Sequence, residues 1–557
     1  MIDFSRNIAI NSHTMRFPYV DVKEHLPVMV SSIILVVIAL LLLNITIKQN
    51  YGRIVYALDD PYIHMAMAKN FSQHGIWGIT KYGFTSSSSS IFWTLLLSLT
   101  YLISGANEIS PFVLNVILSI LFIFITYTIL RRHKAPILLI YVILTAVLLF
   151  TPMPALIFCG QEHVLHILIA TIFAYSASKL ITTSDNQKTR IGYSATMVLA
   201  CLLSPVRYEG LLMVFVVSVI LLLKRRFVSG LLIGMASLLP MIIYGIISFS
   251  QGWFFLPNPV ILKGSAPDFS ALRGIIRFFG YSTIATLFHN PHILALLLIS
   301  LVCSFTLHKH QNKTPDTNFF FIMNIVFIAT TILHAQFAGM GWFYRYEAYL
   351  VTLGIIIQGL SLNELGKIET FRHLITKSKN LIVLLPALLL LLLPLFVRAV
   401  KSLIEIPHAT HERYMEHVLP GIFLKDYPCN SPVVVNDIGA ISFYSDAKIL
   451  DMYGLGNIEP VIFRKDSYDK SDLSAWAEQE EAKLAYLQVQ WREVFPRVPD
   501  EWKVVEKWQM RKNVVFGDTI FLWYCINPEH KQQLMIDLQE FSEILPKDIE
   551  LVITPIP

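Results

Sequence analysis

The 557-residue chain is short of charge: Asp, Glu, Lys and Arg supply 15% of it, against roughly 25% in soluble domains. With 54% apolar residues and a mean hydropathy of +0.57, that deficit excludes a soluble enzyme, a nucleic-acid reader and a disordered scaffold. Cysteine is scarce too. Cys159, Cys201, Cys303, Cys429 and Cys525 lie far apart without a CxxC pair, so no zinc or redox framework is present. Cys429 and Cys525 share a hydrophilic C-terminal region and are open to pairing if it faces an oxidising compartment. P-loop spacing is missing, as is the DxD pair of a metal-dependent nucleotide-sugar transferase. There is no internal repeat, and no low-complexity tract beyond Ser86–Ser90.

What the chain has is apolar runs. The first, Pro27–Ile47, has the length a bilayer core of ~30 Å requires and reads as an uncleaved anchor. Further runs at 111–130, 136–151, 162–180, 191–203, 208–223, 227–249, 291–307, 319–334, 346–362 and 381–399 bring the expectation to about eleven transmembrane helices. Ile91–Ile103 is too short to span and reads as a juxtamembrane helix within an external loop over 48–110. With that choice, the inner segments carry 17 Lys/Arg in 73 residues and the outer ones 9 in 129. The positive-inside rule then predicts a cytoplasmic N-terminus, 1–26, and an external C-terminus. After a membrane domain over 27–399, residues 400–557 are mixed and charged. The runs 433–437, 448–453, 483–489, 502–508 and 518–526 predict strands of a small extracytoplasmic α/β domain.

This topology places the unusual polar residues on one face, where ionisable groups in an apolar protein mark function. Asp59-Asp60-Pro61 opens a helix that ends at Gly75. Asp60 suits an N-cap; Asp59 has no such duty and is the better general base, with a pKa raised by burial and its like-charged neighbour. Glu162 begins a span, where it complements the helix dipole. Arg207 and Glu209 flank Tyr208 in a tight turn and can pair locally. Arg207, Lys263 and Arg345 are the cations suited to an anionic group, because guanidinium forks match phosphate oxygens; for Arg345, interfacial snorkelling is an equal alternative. His408, His411, Glu412 and His417 lack HExxH spacing, and a solvated post-membrane helix is expected there. Ser86–Ser90 most simply caps the helix from Ile91, with its hydroxyls lining a sugar-binding surface as the alternative. Asn436, Asp437 and Gly439 fix a turn after a buried strand, or border an acceptor groove.

With these residues in place, the chain resembles a GT-C-type glycosyltransferase, and more narrowly the AftB-like group related to bacterial arabinofuranosyltransferases. The matching segments are LDDPYIHMAMAKNFSQHG (58–75), YGFTSSSSSIFWTLLLSL (82–99), FCGQEHVL (158–165), SPVRYEGLL (204–212), FFLPNPVILKG (254–264), GWFYRYEAYL (341–350) and VVVNDIGAISFYSDAKILDMYGLGN (433–457). The resemblance implies inverting transfer of a sugar from a polyprenyl-phosphate donor, at the bilayer of a bacterial inner membrane, to an extracytoplasmic glycan or other envelope acceptor. Asp59 would be the base; Asp60 and Glu162 would orient it or the acceptor. Arg207, Lys263 and Arg345 would hold the donor phosphate, with Tyr62, Glu209, Asn258, Tyr344 and Asp437 as further substrate contacts. It leaves room for a divalent metal near the two aspartates. A flippase for lipid-linked sugars and a non-catalytic scaffold are the competing readings; ionisable residues at span ends and the missing repeat weigh against the first.

Overall fold

The computed structural model describes residues 22–183, 186–263, 281–310, 316–369, 378–463, 470–488, 498–510, 514–515, 519–546 and 549–556. Most of the expected cytoplasmic N-terminus, and parts of the basic loops counted above, lie outside the described residues. The chain is a polytopic helical membrane protein. Each of the eleven apolar runs overlaps a helix to within two residues at its ends or lies inside one. Among the described residues, eight helices are long and apolar enough to cross a membrane, fewer than the eleven expected. The difference has a physical cause. Ile137–Phe150 and Met153–Cys159 form one pair bent by 40°, while Gly192–Val206 and Gly210–Leu223 are short apolar helices. Helix Ser378–Arg413 continues past Ala399, where the composition changes.

Between the first long helix, α1 (Val22–Gln49), and the next one, Ile109–Arg132, lie two shorter helices. The first, α2 (Asp60–His74), has Pro61 in its first turn and ends at Gly75, whose φ of 69° suits a residue without Cβ. The second, α3 (Ile91–Ser104), is capped by Ser90, which accepts from the Trp93 N–H. It buries Trp93, Leu97 and Tyr101 and exposes Leu95, Leu99, Leu102 and Ile103, the amphipathic pattern of a helix lying along a bilayer surface.

The C-terminal region builds a six-stranded mixed sheet in the order β2-β1-β3-β5-β4-β6. β1 (Val433–Val435) lies parallel to β2 (Ile449–Asp451) and β3 (Leu484–Gln488). β5 (Ile520–Cys525), β4 (Lys503–Met510) and β6 (Leu551–Pro555) continue it antiparallel. Five strands fall in the expected runs; β6 is an edge strand whose Leu-Val-Ile-Thr-Pro carries too little periodicity to be read beforehand. Both faces are buried. Trp508, Trp523 and Phe541 belong to the apolar core that continues into the helices, whereas Val434, Leu473, Trp476 and Tyr524 form a second cluster. Cys429 and Cys525 are both free thiols.

One expectation is corrected here. Segment 408–417 is solvated only at its start: His408 is exposed and His411 half-buried, whereas Glu412, Arg413, Glu416 and His417 are buried. Glu412 accepts from the N–H groups of Val514 and Val515, and Arg413 pairs with Glu416 at 2.5 Å.

Asp451 sets the loop that follows β2. Its buried carboxylate accepts from the N–H of Tyr453 at 2.8 Å and Gly456 at 2.7 Å. Burial pushes this carboxyl up to about 6 despite those donors. A carboxyl raised above its unfolded value of about 3.9 contributes stability that is complete below pH 4 and lost as pH rises through 6, at most about 3 kcal/mol. Hydrogen exchange of the 451–457 amides is expected to quicken between pH 4 and 7 beyond the intrinsic chemical rate. Asp451→Asn should remove that excess; an unchanged profile in the variant would sink the assignment.

Candidate active site

The ends of several helices meet in a cavity of about 220 Å³ lined by Asp60, Gln161, Arg207, Glu209, Lys263 and Arg345, with Ser89, Tyr208 and Tyr346. Residues 160–162 precede helix His163–Thr182, Arg207–Glu209 join two apolar helices, and Lys263 closes helix Asn258–Lys263. Arg345 ends a turn in which Trp342, Phe343 and Tyr344 all have positive φ, 33°, 53° and 66°. Such left-handed residues cost about 1–3 kcal/mol each and gather where surrounding structure holds a functional geometry.

Asp60 lies on the cavity wall between two cations. One carboxylate oxygen accepts from Arg345 and the other from Lys263 at 3.3 Å. It makes no N-cap bond; it is the first residue of α2, and its side chain turns to the cations instead. Burial pushes its carboxyl up, but Lys263 and Arg345 together outweigh this and hold it well below the usual carboxylate range. Arg345 is 2% exposed, which argues against snorkelling. Its guanidinium also donates to Gln161 and lies 4.9 Å from the ring centre of Tyr346.

Arg207 is differently occupied. Its guanidinium donates to Glu162 at 2.7 Å and to both oxygens of Glu209 at 3.0 and 2.5 Å. Burial raises and Arg207 more strongly lowers the Glu209 carboxyl, to about 2. Glu162 is fully buried and also lies 3.6 Å from His64. With Glu162 counted, Arg207, Lys263 and Arg345 face three acids, and the excess of one positive charge is confined to the group of Lys263 and Arg345 around Asp60.

Asp59 points away from this cavity. Its carboxylate accepts from the backbone N–H groups of Gly439 (2.6 Å) and Ala440 (2.8 Å), at the start of helix Gly439–Tyr444. Burial raises its carboxyl, and His417 opposes that. Lys69 donates to Phe443 O at 2.9 Å, so α2 holds that short helix at both ends. A Cβ on Gly439 would sit 2.2 Å from the Asp59 carbonyl oxygen, which leaves room for glycine alone. Tyr62, fully buried, stacks near Phe443 and Tyr444 and accepts from the Tyr56 N–H. Asp437 accepts from His417 at 3.1 Å. Asn258 donates to Gly454 O and Asn457 O, tying the Lys263 helix to the Asp451 loop. Tyr344 donates to Glu405. Asp59, Tyr62, Asp437, Asn258 and Tyr344 thus stand outside the lining of the cavity.

Tyr346 is a lining residue that reading the sequence did not select, whereas Ser89 belongs to the Ser86–Ser90 run and Gln161 stands beside Glu162 among the polar residues gathered at span ends. The signal for Tyr346 lay in the Tyr-Arg-Tyr alternation, since its ring also stands 5.5 Å from Arg207. Among the described residues no three His, Cys, Asp or Glu side chains group as a metal ion requires.

Comparison with known proteins bears on this arrangement. Residues 408–524 match the model of a domain of unknown function, DUF8728. No curated protein matches the chain in sequence. Among solved structures, ArnT from Cupriavidus metallidurans bound to undecaprenyl phosphate is similar, with a TM-score of 0.50 and 12% identity, over 90% of this chain and 98% of that one. An oligosaccharyltransferase from Archaeoglobus fulgidus, in complex with Zn and sulfate, gives a TM-score of 0.43 and 12% identity over 87% of this chain and 72% of that one. The fold is thus of the GT-C type: a polytopic helical membrane domain with a C-terminal α/β region.

Proposed function

We propose that the chain is a membrane glycosyltransferase that moves a sugar from a polyprenyl-phosphate donor to an extracytoplasmic glycan, with inversion. The observation that carries this reading is the half-buried Asp60 carboxylate held between Arg345 and Lys263 on the wall of one cavity. A base and the cations for a phosphate leaving group share that cavity, and the similar ArnT structure holds undecaprenyl phosphate.

In this reading the acceptor hydroxyl attacks the anomeric carbon as its bond to the phosphate oxygen breaks. The proton passes to Asp60, and the electron pair leaves with the phosphate, whose growing charge Arg345 and Lys263 meet. Donor phosphate draws those two cations off Asp60 and so restores its basicity. Arg207, neutralised by Glu162 and Glu209, keeps the cavity wall rigid and holds Tyr346 beside Arg345. Asp59 is a positioning residue. The prenyl chain is assigned to a groove of about 600 Å³ on the other side of the 342–344 turn, lined by Trp342, Phe343, Leu393 and Val397. The AftB-like motifs at 58–75 and 433–457 are packing partners, joined through Asp59 and Lys69. The N-terminus is placed in the cytoplasm and 400–557 outside a bacterial inner membrane.

Surface-glycan mass spectra from a deletion strain complemented with native protein or Arg345→Lys, at equal membrane levels, test the reading. Lysine keeps the charge but loses the fork to Gln161 and Asp60, and turnover should fall about 10²–10³-fold. A discrete sugar mass should be restored by native protein only. Full restoration by Arg345→Lys, or no glycan change in any strain, would count against it.

A further inference from the structure

A larger cavity than the one around Asp60 lies away from it. It is a groove of about 900 Å³ between the C-terminal end of α2, the 81–82 and 106–108 loops, and the 424–432 and 443–448 segments. Lys69, Lys81, Lys425 and Lys448 line it against two acids, Glu108 and Asp446. Asp446 is shared by Lys69 (3.5 Å) and Lys81 (3.4 Å), and Lys448 reaches Glu480 at 2.7 Å on the groove's outer side. Four ammonium groups from separate stretches of chain thus meet around one concave surface, with an excess of two positive charges along its lining and of one when Glu480 is counted. Tyr82, 57% exposed, presents a ring on the same wall, its hydroxyl donating to Asp446 O at 3.1 Å. An exposed aromatic face beside polar groups suits a sugar ring, and clustered lysines suit its carboxylates or phosphates. A cavity of this size is within the range of small-ligand sites.

We propose that this groove binds an anionic stretch of the acceptor glycan, a sugar chain carrying carboxylate or phosphate groups. The inference rests on the transferase reading for the word acceptor. Lys69 and Asp60 stand nine residues apart on α2, about 14 Å along its axis, so the groove engages acceptor sugars remote from the reacting hydroxyl. Binding energy from such a remote part supports turnover of a long acceptor without touching the chemistry at Asp60.

The test uses the full chain in phosphatidylcholine nanodiscs and two probes, hexagalacturonate and neutral maltohexaose, titrated by calorimetry. Hexagalacturonate should bind at least about tenfold more tightly than maltohexaose, with an affinity that falls as salt rises. Lys425→Glu with Lys448→Glu should weaken it a further tenfold or more. Lys425→Arg with Lys448→Arg should keep it, which separates lost charge from lost fold. Equal affinity for the two probes, or unchanged binding by the charge-reversed protein, would overturn the proposal. So would loss of hexagalacturonate binding when phosphatidylglycerol is added to the nanodiscs, which would assign the groove to lipid headgroups. Release of polyprenyl phosphate from a polyprenyl-phosphate sugar, followed in parallel samples with membranes of a deletion strain as acceptor, should fall with the charge-reversed protein and hold with the arginine variants. Failure of that release in native protein would remove the transferase reading and leave groove binding to stand or fall alone.

Discussion

Asp60→Asn should abolish sugar transfer while leaving the protein folded and in the membrane. The substitution removes the proton acceptor from the cavity, and a positioned base is worth about 10²–10⁴ in rate. It also leaves Arg345 and Lys263 facing a neutral amide, so donor phosphate has no carboxylate to displace. Donor affinity should therefore hold or rise as turnover collapses, a split between KM and kcat that plain misfolding does not give. Titrating the purified variant with polyprenyl phosphate and timing transfer in the same preparation reads both quantities. Weakened donor binding with near-native turnover would contradict the role of Asp60.

The second large effect concerns its neighbour. Asp59→Ala withdraws the carboxylate that accepts the Gly439 and Ala440 N–H groups, 380 and 381 residues away. Hydrogen bonds to a charged group contribute about 1.5–3 kcal/mol each, and two buried donors would lose their partner. Helix Gly439–Tyr444 should loosen from α2, and transfer should fall about 10–100-fold because Asp60 begins the helix that lost its brace. Gly439→Ala should act alike by steric means, given the 2.2 Å approach to Asp59 O. Hydrogen exchange tells the two aspartates apart: amides 439–444 should lose protection in Asp59→Ala and keep it in Asp60→Asn. Equal protection in both would remove Asp59's bracing role.

That contrast shows what the sequence made legible. The long apolar runs, the short amphipathic α3 and five of six strands follow from hydropathy and periodicity, which are local. The acids and bases of the cavity also stand out, because few charges interrupt this chain. Which of two adjacent aspartates faces the cavity is not local. It depends on where α2 begins and on a helix start near Gly439 that supplies two N–H groups to Asp59. Arg207 looked like a phosphate ligand because its pairing with Glu162, 45 residues earlier, appears only when two helix ends meet. Glu412 and His417 looked solvated because charge density was their only visible property, while the sheet that buries them is built from residues beyond 430.

The most direct measurement incubates purified protein with a panel of polyprenyl-phosphate sugars and membranes of the deletion strain as acceptor. Free polyprenyl phosphate and the sugar-extended glycan are then quantified by mass spectrometry. The account predicts matched appearance of both from one donor with native protein, and neither above background with Asp60→Asn. Release at the native rate by Asp60→Asn would contradict it.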